Sequence, residues 1–340
     1  MGNGANPVDR ECVAPARAPM PRAKPERKAL GLALAVDGSI FPASELHRLV
    51  QVARQAEAAG ADYVTVPEHV LMGPNASAQD PWSDWEPRHL DLPWPEPLLT
   101  LAAMSAATTR IGLVSAVVIA PLRPAGLLAK MGATLHALSR GRFVMGVSPS
   151  WHQDEYDALG VSFRDRGRLL EDTIGACRAL WAGAPASFHS PTVNFSDMHC
   201  SPRPAPGERI PVWFTGKFTP RLVRRVFALG DGWMPYTGYA MTRAEKTAAA
   251  TKLRLAFAAA GRDPAELQLA DTIVPVDGSI KRSLEQVPAI AAAGFNIIRV
   301  PLRRFLKSPA DIPAAIEEIA GRFSEQASEV SRQEPEKNVR

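Results

Sequence analysis

Apolar residues along this chain alternate between two patterns. Short unbroken apolar runs suit strands buried on both faces, and longer stretches with apolar positions three and four apart suit helices. Leu30–Val36 is the first such run. Ser44 then reads as the cap of a helix over Glu45–Ala59, with Leu46, Leu49, Val50, Ala53 and Ala56 on one face and Gly60 as its stop. Tyr63–Val66, Ile111–Ile119, Arg142–Val147, Val212–Phe214, Gly232–Met234, Leu267–Val276 and Asn296–Val300 are the later strands. Helical patterns over Pro97–Thr108, Ala125–Leu138, Asp165–Trp181, Pro220–Leu229 and Ala244–Ala260 separate them, and a helical segment follows each of the last two strands.

Eight β–α units in about 300 residues predict an α/β fold, a (β/α)8 TIM barrel. A doubly wound sheet would want GxGxxG after the first strand, where Ala35–Val36–Asp37–Gly38 offers one glycine. Two segments exceed an ordinary connection and read as insertions at the C-terminal face. Val70–Pro95 carries Trp82, Trp85 and Trp94, and Ala184–Pro211 is rich in proline and histidine. The predicted organisation is a disordered basic tail over 1–28, the barrel over 29–328 and a disordered tail over 329–340.

Charge narrows the partners. The formal charge of the 340-residue chain is +4, but residues 1–28 hold six basic against three acidic groups, and the last twelve balance. The barrel therefore carries about +1, and no stripe of basic and aromatic residues marks a nucleic-acid surface. No apolar run reaches the roughly 18 residues of a membrane span, and the first residues lack a signal-peptide core. Cys12, Cys177 and Cys200 are odd in number and widely spaced, which fits a reducing cytoplasm. The partner these features leave is a small molecule.

Three places carry candidate chemistry. Glu68–His69 follows the second strand, where barrel enzymes place reacting groups, and a histidine there can exchange a proton with a substrate oxygen. The fourth strand ends in Gly146 and the small residues Ser148, Pro149 and Ser150, followed by Trp151, His152 and the acidic segment Asp154–Glu155–Tyr156. After the fifth strand, Thr215, Gly216 and Lys217 enter a helix at Thr219–Pro220, which also reads as an N-cap with proline at N1. The two small-residue turns together suggest one phosphate site. No HExxH, GxSxG or P-loop is present, and no metal site is expected.

These elements, in order, resemble the bacterial luciferase-like monooxygenase superfamily, and within it the branch that uses the deazaflavin coenzyme F420. The match runs through Ala56–Glu57–Ala58–Ala59–Gly60–Ala61–Asp62–Tyr63, Glu68–His69, Thr108–Thr109–Arg110–Ile111 and Leu128–Ala129–Lys130. It continues through Gly141–Arg142, Gly146–Val147, Trp151, Glu155–Tyr156, Leu159–Gly160–Val161, Arg166–Gly167–Arg168, Pro211–Val212–Trp213 and Leu229–Gly230–Asp231–Gly232–Trp233. It covers about residues 30–320.

The resemblance implies a flavin-like cofactor over the strand C-termini, its phosphate at Ser148, Pro149, Ser150, Thr215, Gly216 and Lys217. It implies His69 as catalytic, Trp151 lining the pocket, Glu68 beside the ring, and Val117 and Val118 behind it, near a non-proline cis peptide within Ser115–Val118. The expected activity is hydride transfer between F420 and an apolar organic substrate. The alternatives are an FMN-dependent monooxygenase and a non-catalytic cofactor-binding barrel, and the family suggests a homodimer. Relatives often read GVGxGW where Ser148–Pro149–Ser150 stand. The turn also lacks the arginine with which flavin-using members can meet phosphate, which leans away from FMN. Trp151 occupies the place of the catalytic glutamate of sugar-phosphate dehydrogenases that use F420, which disfavours that substrate class.

Overall fold

The computed structural model describes residues 29–79, 90–235 and 241–333. Strands β1 (Gly31–Ala35), β2 (Tyr63–Val66), β3 (Gly112–Ile119) and β4 (Phe143–Ser148) form the first half of the sheet. An antiparallel hairpin, β5 (Ala186–His189) with β6 (Asn194–Met198), stands outside it. Then follow β7 (Val212–Thr215), β8 (Gly232–Met234), β9 (Gln268–Thr272) and β10 (Ile297–Pro301). The eight sheet strands are parallel and close in the order β1-β10-β9-β8-β7-β4-β3-β2, the (β/α)8 barrel the alternation predicts.

Each barrel strand is buried on both faces, which explains the unbroken apolar runs. Leu32, Leu34, Val64, Phe143, Met145, Ile298 and Val300 point outward into the layer beneath the helices. Ala33, Val114, Val144, Trp213, Met234, Ala270 and Ile297 point inward and pack the lumen. Tyr63 and Trp213 meet edge-on across it at 5.9 Å. A side chain at Gly232 would meet the Trp213 ring within 2.5 Å, so the glycine makes room for the indole.

The helices are α1 (Leu49–Ala58), α2 (Ala76–Gln79), α3 (Pro97–Ala107), α4 (Ala125–Leu138), α5 (Gln153–Ala158) and α6 (Arg166–Ala182). They continue with α7 (Pro220–Leu229), α8 (Arg243–Ala259), α9 (Ile280–Leu284), α10 (Val287–Ala292) and α11 (Ile312–Gln333). Thr219 caps α7, its hydroxyl accepting from Leu222 N at 3.2 Å with Pro220 at N1. Ser44 does not cap: the segment Ala43–Arg48 winds as a 3-10 turn, and α1 starts only at Leu49. Glu45 and Arg48 pair across that turn.

One further predicted boundary changes. Helix α11 runs through Gln333, past the expected end at 328, because Ala327 and Val330 still find the core. The Ala184–Pro211 insertion joins a helix to a strand, and its hairpin lies along α6. There the Phe188 ring sits over Gly175, and Thr192 donates to Asp172 at 2.7 Å. Of the Val70–Pro95 insertion, the described part includes Trp94, while Trp82 and Trp85 lie outside the described residues, as do tails 1–28 and 334–340.

Asp231, just before β8, gathers four donors. Its carboxylate accepts from Arg178 of α6, from Arg209 Nε at 2.7 Å, from Arg262 Nη2 at 2.6 Å and from Val212 N at 2.9 Å. Burial by itself would raise its pKa, but the charges of Arg178 and Arg209 and the Val212 amide outweigh it and hold the carboxyl below its ordinary value. Removing one charge from a buried cluster strands the others, so Asp231→Asn is expected to cost about 3 kcal/mol in urea unfolding. The wild-type contribution is complete above the unfolded carboxylate value of about 4 and is lost as pH falls through the lower folded value. The variant is expected to lose that acid limb, and an unchanged limb would assign it to other carboxylates.

Candidate active site at the strand C-termini

The residues after β2 and β4 form one side of the barrel mouth, and α5 ties them together. Glu155 is wholly buried. Its Oε1 accepts from Val70 N at 2.7 Å and Leu71 N at 3.3 Å, and its Oε2 from Ser150 Oγ at 3.2 Å. His152 Nε2 accepts from Gly73 N at 2.8 Å, and Asp154 Oδ2 from Asn75 N at 2.9 Å. Three side chains of one acidic turn thus hold the backbone of 70–75 amide by amide. The segment that begins the long insertion is fixed to α5 as it leaves the barrel.

His69 stands at the start of that segment and is nearly buried. Its Nδ1 lies 3.3 Å from Glu155 Oε1, out of line for a hydrogen bond. Its ring meets Trp94 at 4.8 Å and Trp151 at 5.3 Å, both edge-on. An imidazole with a carboxylate at one nitrogen and two indoles around it is oriented and shielded from water. The structure therefore brings His69 and Trp151 together.

Glu68 has another task. Both its oxygens take the Arg123 guanidinium, Oε2 with Nη1 at 2.9 Å, and Oε2 also accepts from Ile119 N at 2.6 Å. Arg123 reaches on to Glu96 at 2.8 Å, and Glu96 Oε2 in turn accepts from Leu99 N at the start of α3. Burial pushes the Glu68 carboxyl up, and Arg123 opposes it. Glu68 thus holds the end of β3 in place, a role different from contact with a ring.

The β3 end carries a cis peptide between Ala116 and Val117. The pairing with β4 shifts register between Ser115 and Val118 there. Ala116 and Val117 pack, half-buried, against the lumen cluster. Val118 turns outward and is wholly buried beneath the helices, so it does not stand at the mouth behind a ring, where the resemblance put it with Val117. The extra residue of the bulge reverses the strand's alternation.

The two turns expected to share a phosphate differ. In the β4 turn Ser150 N donates to Ser148 Oγ at 3.0 Å, Ser150 Oγ serves Glu155, and Pro149 lacks an N–H. The Pro149 carbonyl accepts from Tyr156 OH at 2.5 Å. The Ser150 amide and hydroxyl are thus spent within the turn, and Asp154 and Glu155 would repel an anion. In the β7 turn Gly216 has φ +126° with open space where a side chain would stand, so a ligand can approach the backbone. Thr215 Oγ1 is buried without a hydrogen-bond partner, and the ten-residue helix α7 starts a few residues on. Lys217 is exposed beside it. Thr215, Gly216 and Lys217 fit the phosphate of a cofactor, and Ser148, Pro149 and Ser150 do not.

Sequence reasoning missed Glu96, Arg123 and Arg299. Arg299 enters the lumen from β10, the one charge in Ile297–Pro301, and that lone charge in an apolar strand was the available signal.

A parallel eight-stranded barrel with a histidine, indoles and an open helix-entry turn at the C-terminal ends of its strands carries these groups where α/β-barrel enzymes build their sites. The luciferase-like monooxygenase family model matches residues 29–333, and the chain belongs to that family. The uncharacterized protein Rv0940c of Mycobacterium tuberculosis is 31% identical over 187 residues, 54% of this chain and 64% of that protein. The chain thus spans less than two thirds of the length of the first relatives it matches. The F420-dependent glucose-6-phosphate dehydrogenase of Kineococcus radiotolerans is 29% identical over 249 residues, 72% of this chain and 66% of that enzyme. Among solved structures, monooxygenase RslO1 from Streptomyces bottropensis superposes with TM-score 0.70 at 17% identity, over 87% of this chain and 99% of that one. An F420-dependent secondary alcohol dehydrogenase with an F420-acetone adduct gives 0.59 at 17%, over 87% and 90%. These likenesses show the fold. Among the described residues no helix is long and apolar enough to cross a membrane.

Burial pushes the His152 imidazole below its ordinary value, and nearby His69 adds to this while Glu155 and Asp154 oppose it. The neutral ring accepts from Gly73, so the stability it gives is complete above about pH 6.5 and is lost as pH falls through the lower folded value. His152→Asn is expected to flatten that slope in urea titrations between about pH 7.5 and 5. A slope that persists unchanged would place the proton elsewhere.

Proposed function

We propose that the protein is an F420-dependent oxidoreductase that moves a hydride between the deazaflavin and an organic substrate with an apolar body. The carrying observation is the contrast between the two turns. The β7 turn offers an open glycine, an unpartnered threonine hydroxyl and a helix N-terminus, whereas the β4 turn has no arginine and faces carboxylates. The broad likeness to an F420-dependent dehydrogenase supports the same cofactor. Trp151 in place of a glutamate argues that the substrate differs from that relative's sugar phosphate.

When bound, the deazaflavin supplies a carbon that accepts or gives up a hydride. The chain's residues do the rest. Thr215, Gly216 and Lys217 bind the phosphate end. Ala116 and Val117 present an apolar surface at the β3 bulge. Trp94 and Trp151 exclude water and orient the substrate. His69 Nε2, the nitrogen turned from Glu155, holds the proton that a carbonyl oxygen takes up on reduction or that an alcohol loses on oxidation.

F420 is expected to lose fluorescence on titration with the protein, with FMN binding at least tenfold weaker. Tight FMN binding without any F420 response would overturn the cofactor assignment. His69→Ala is expected to keep F420 affinity within about threefold and to lose at least about 100-fold in turnover across a panel of secondary alcohols and ketones. Full activity in that variant would remove His69 from the reaction and leave a binding role.

A further inference from the structure

The lumen holds one charge for which the proposed reaction has no use. Inward positions of β10 alternate as Ile297, Arg299 and Pro301, and Ile297 belongs to the apolar lumen cluster. Arg299 is enclosed by the barrel yet keeps partial exposure through the mouth. Its Nε donates to Thr65 Oγ1 at 3.2 Å and its Nη1 to Thr272 Oγ1 at 3.4 Å. Among the described residues no carboxylate lies within ion-pair distance of it. Asp37 stands beyond that distance but still acts on it, favouring the charge against burial, and its Oδ1 accepts from Ser39. Asp271, the residue before Thr272, is paired with Lys246. Burial lowers the guanidinium to about 10, which leaves it charged at neutral pH.

A buried charge with no carboxylate in contact is costly, and long bonds to two hydroxyls repay little of it. The planar fork has five N–H donors, and its natural complement is a carboxylate taken by two parallel bonds. The hydroxyls of Thr65 and Thr272 flank it and can turn their own protons toward the same anion. Thr65 lies on β2, the strand whose end carries His69.

We propose that Arg299, flanked by Thr65 and Thr272, binds a carboxylate on the substrate, so that the protein acts on an organic acid with an apolar body. The site faces the mouth that the F420 reading uses, and it rests on that reading only for the identity of the reaction. The aromatic wall at Trp94 and Trp151 takes the apolar body, and Arg299 fixes the acidic end.

Benzoate is a probe of this shape, and benzamide is its neutral counterpart. Benzoate is expected to raise the melting temperature of the wild-type protein in a concentration-dependent way, and benzamide is not. Arg299→Met should abolish the benzoate shift, and Arg299→Lys should weaken it about tenfold. Arg299→Met should itself melt no lower than wild type, since it removes a charge without a partner. No benzoate response in wild type, or an equal response in Arg299→Met, would overturn the proposal. A fall of more than about 5 °C in Arg299→Met would mark a structural arginine and overturn it too. F420 affinity is expected to stay within about threefold in that variant. A tenfold loss there would show that the anion met by Arg299 belongs to the cofactor and would also overturn the proposal. If wild type binds neither F420 nor FMN, the functional reading fails, while the benzoate comparison still decides on Arg299.

Discussion

The Glu155 carboxylate is the group on which the mouth of the barrel depends. It is wholly buried and accepts from two successive amides of the β2 loop and from the Ser150 hydroxyl, while His69 stands 3.3 Å away. A carboxylate in that setting is stabilised by its donors, and each donor would be costly to bury without it. The geometry follows. The β2 and β4 ends are locked to each other, and the imidazole is held between two indoles. His152 and Asp154 continue the same clasp along 73–75, so the insertion leaves the barrel on a fixed course.

A second buried carboxylate does the matching work one strand away. Glu68 fastens the Ile119 amide and Arg123, and Arg123 carries the connection to Glu96 at the N-terminus of α3. The bulge at the end of β3 gives up regular pairing with β4, so its backbone needs support from a side chain. The adjacent residues Glu68 and His69 therefore divide the labour. One braces the end of β3, and the other stands between Trp94 and Trp151 at the barrel mouth.

The barrel was legible because both faces of each strand are apolar, and because Gly60, Thr219 and Pro220 mark helix ends in the expected way. Ser44 misled because its segment tightens into a 3-10 turn in which the serine is no longer the first residue. The site was legible only in part. That His69 and Trp151 come together, and that the β7 turn stands open, follows from their positions after strands. Val118 did not, because a one-residue bulge reverses which side chains face inward, and alternation read from sequence has no sign of it. Nor did the fate of the β4 turn. Its small residues look like an anion nest until one sees that the Ser150 amide donates to Ser148, the Ser150 hydroxyl to Glu155 and the Tyr156 hydroxyl to the Pro149 carbonyl.

That reversal gives the mouth a polarity. On the α5 side two carboxylates cap neutral amides and leave negative potential. On the α7 side a helix N-terminus and Lys217 leave positive potential. A cofactor with an anionic tail is therefore best placed with that tail at the β7 turn and its reactive end toward β2 and His69. Reversing it would set phosphate against the carboxylates of Asp154 and Glu155, and like charges brought together in a partly buried site cost several kcal/mol. The same acidic turn that clasps the β2 loop thus also orients what the proposed site binds. One short helix thus couples the position of His69 to the direction from which the proposed cofactor would enter.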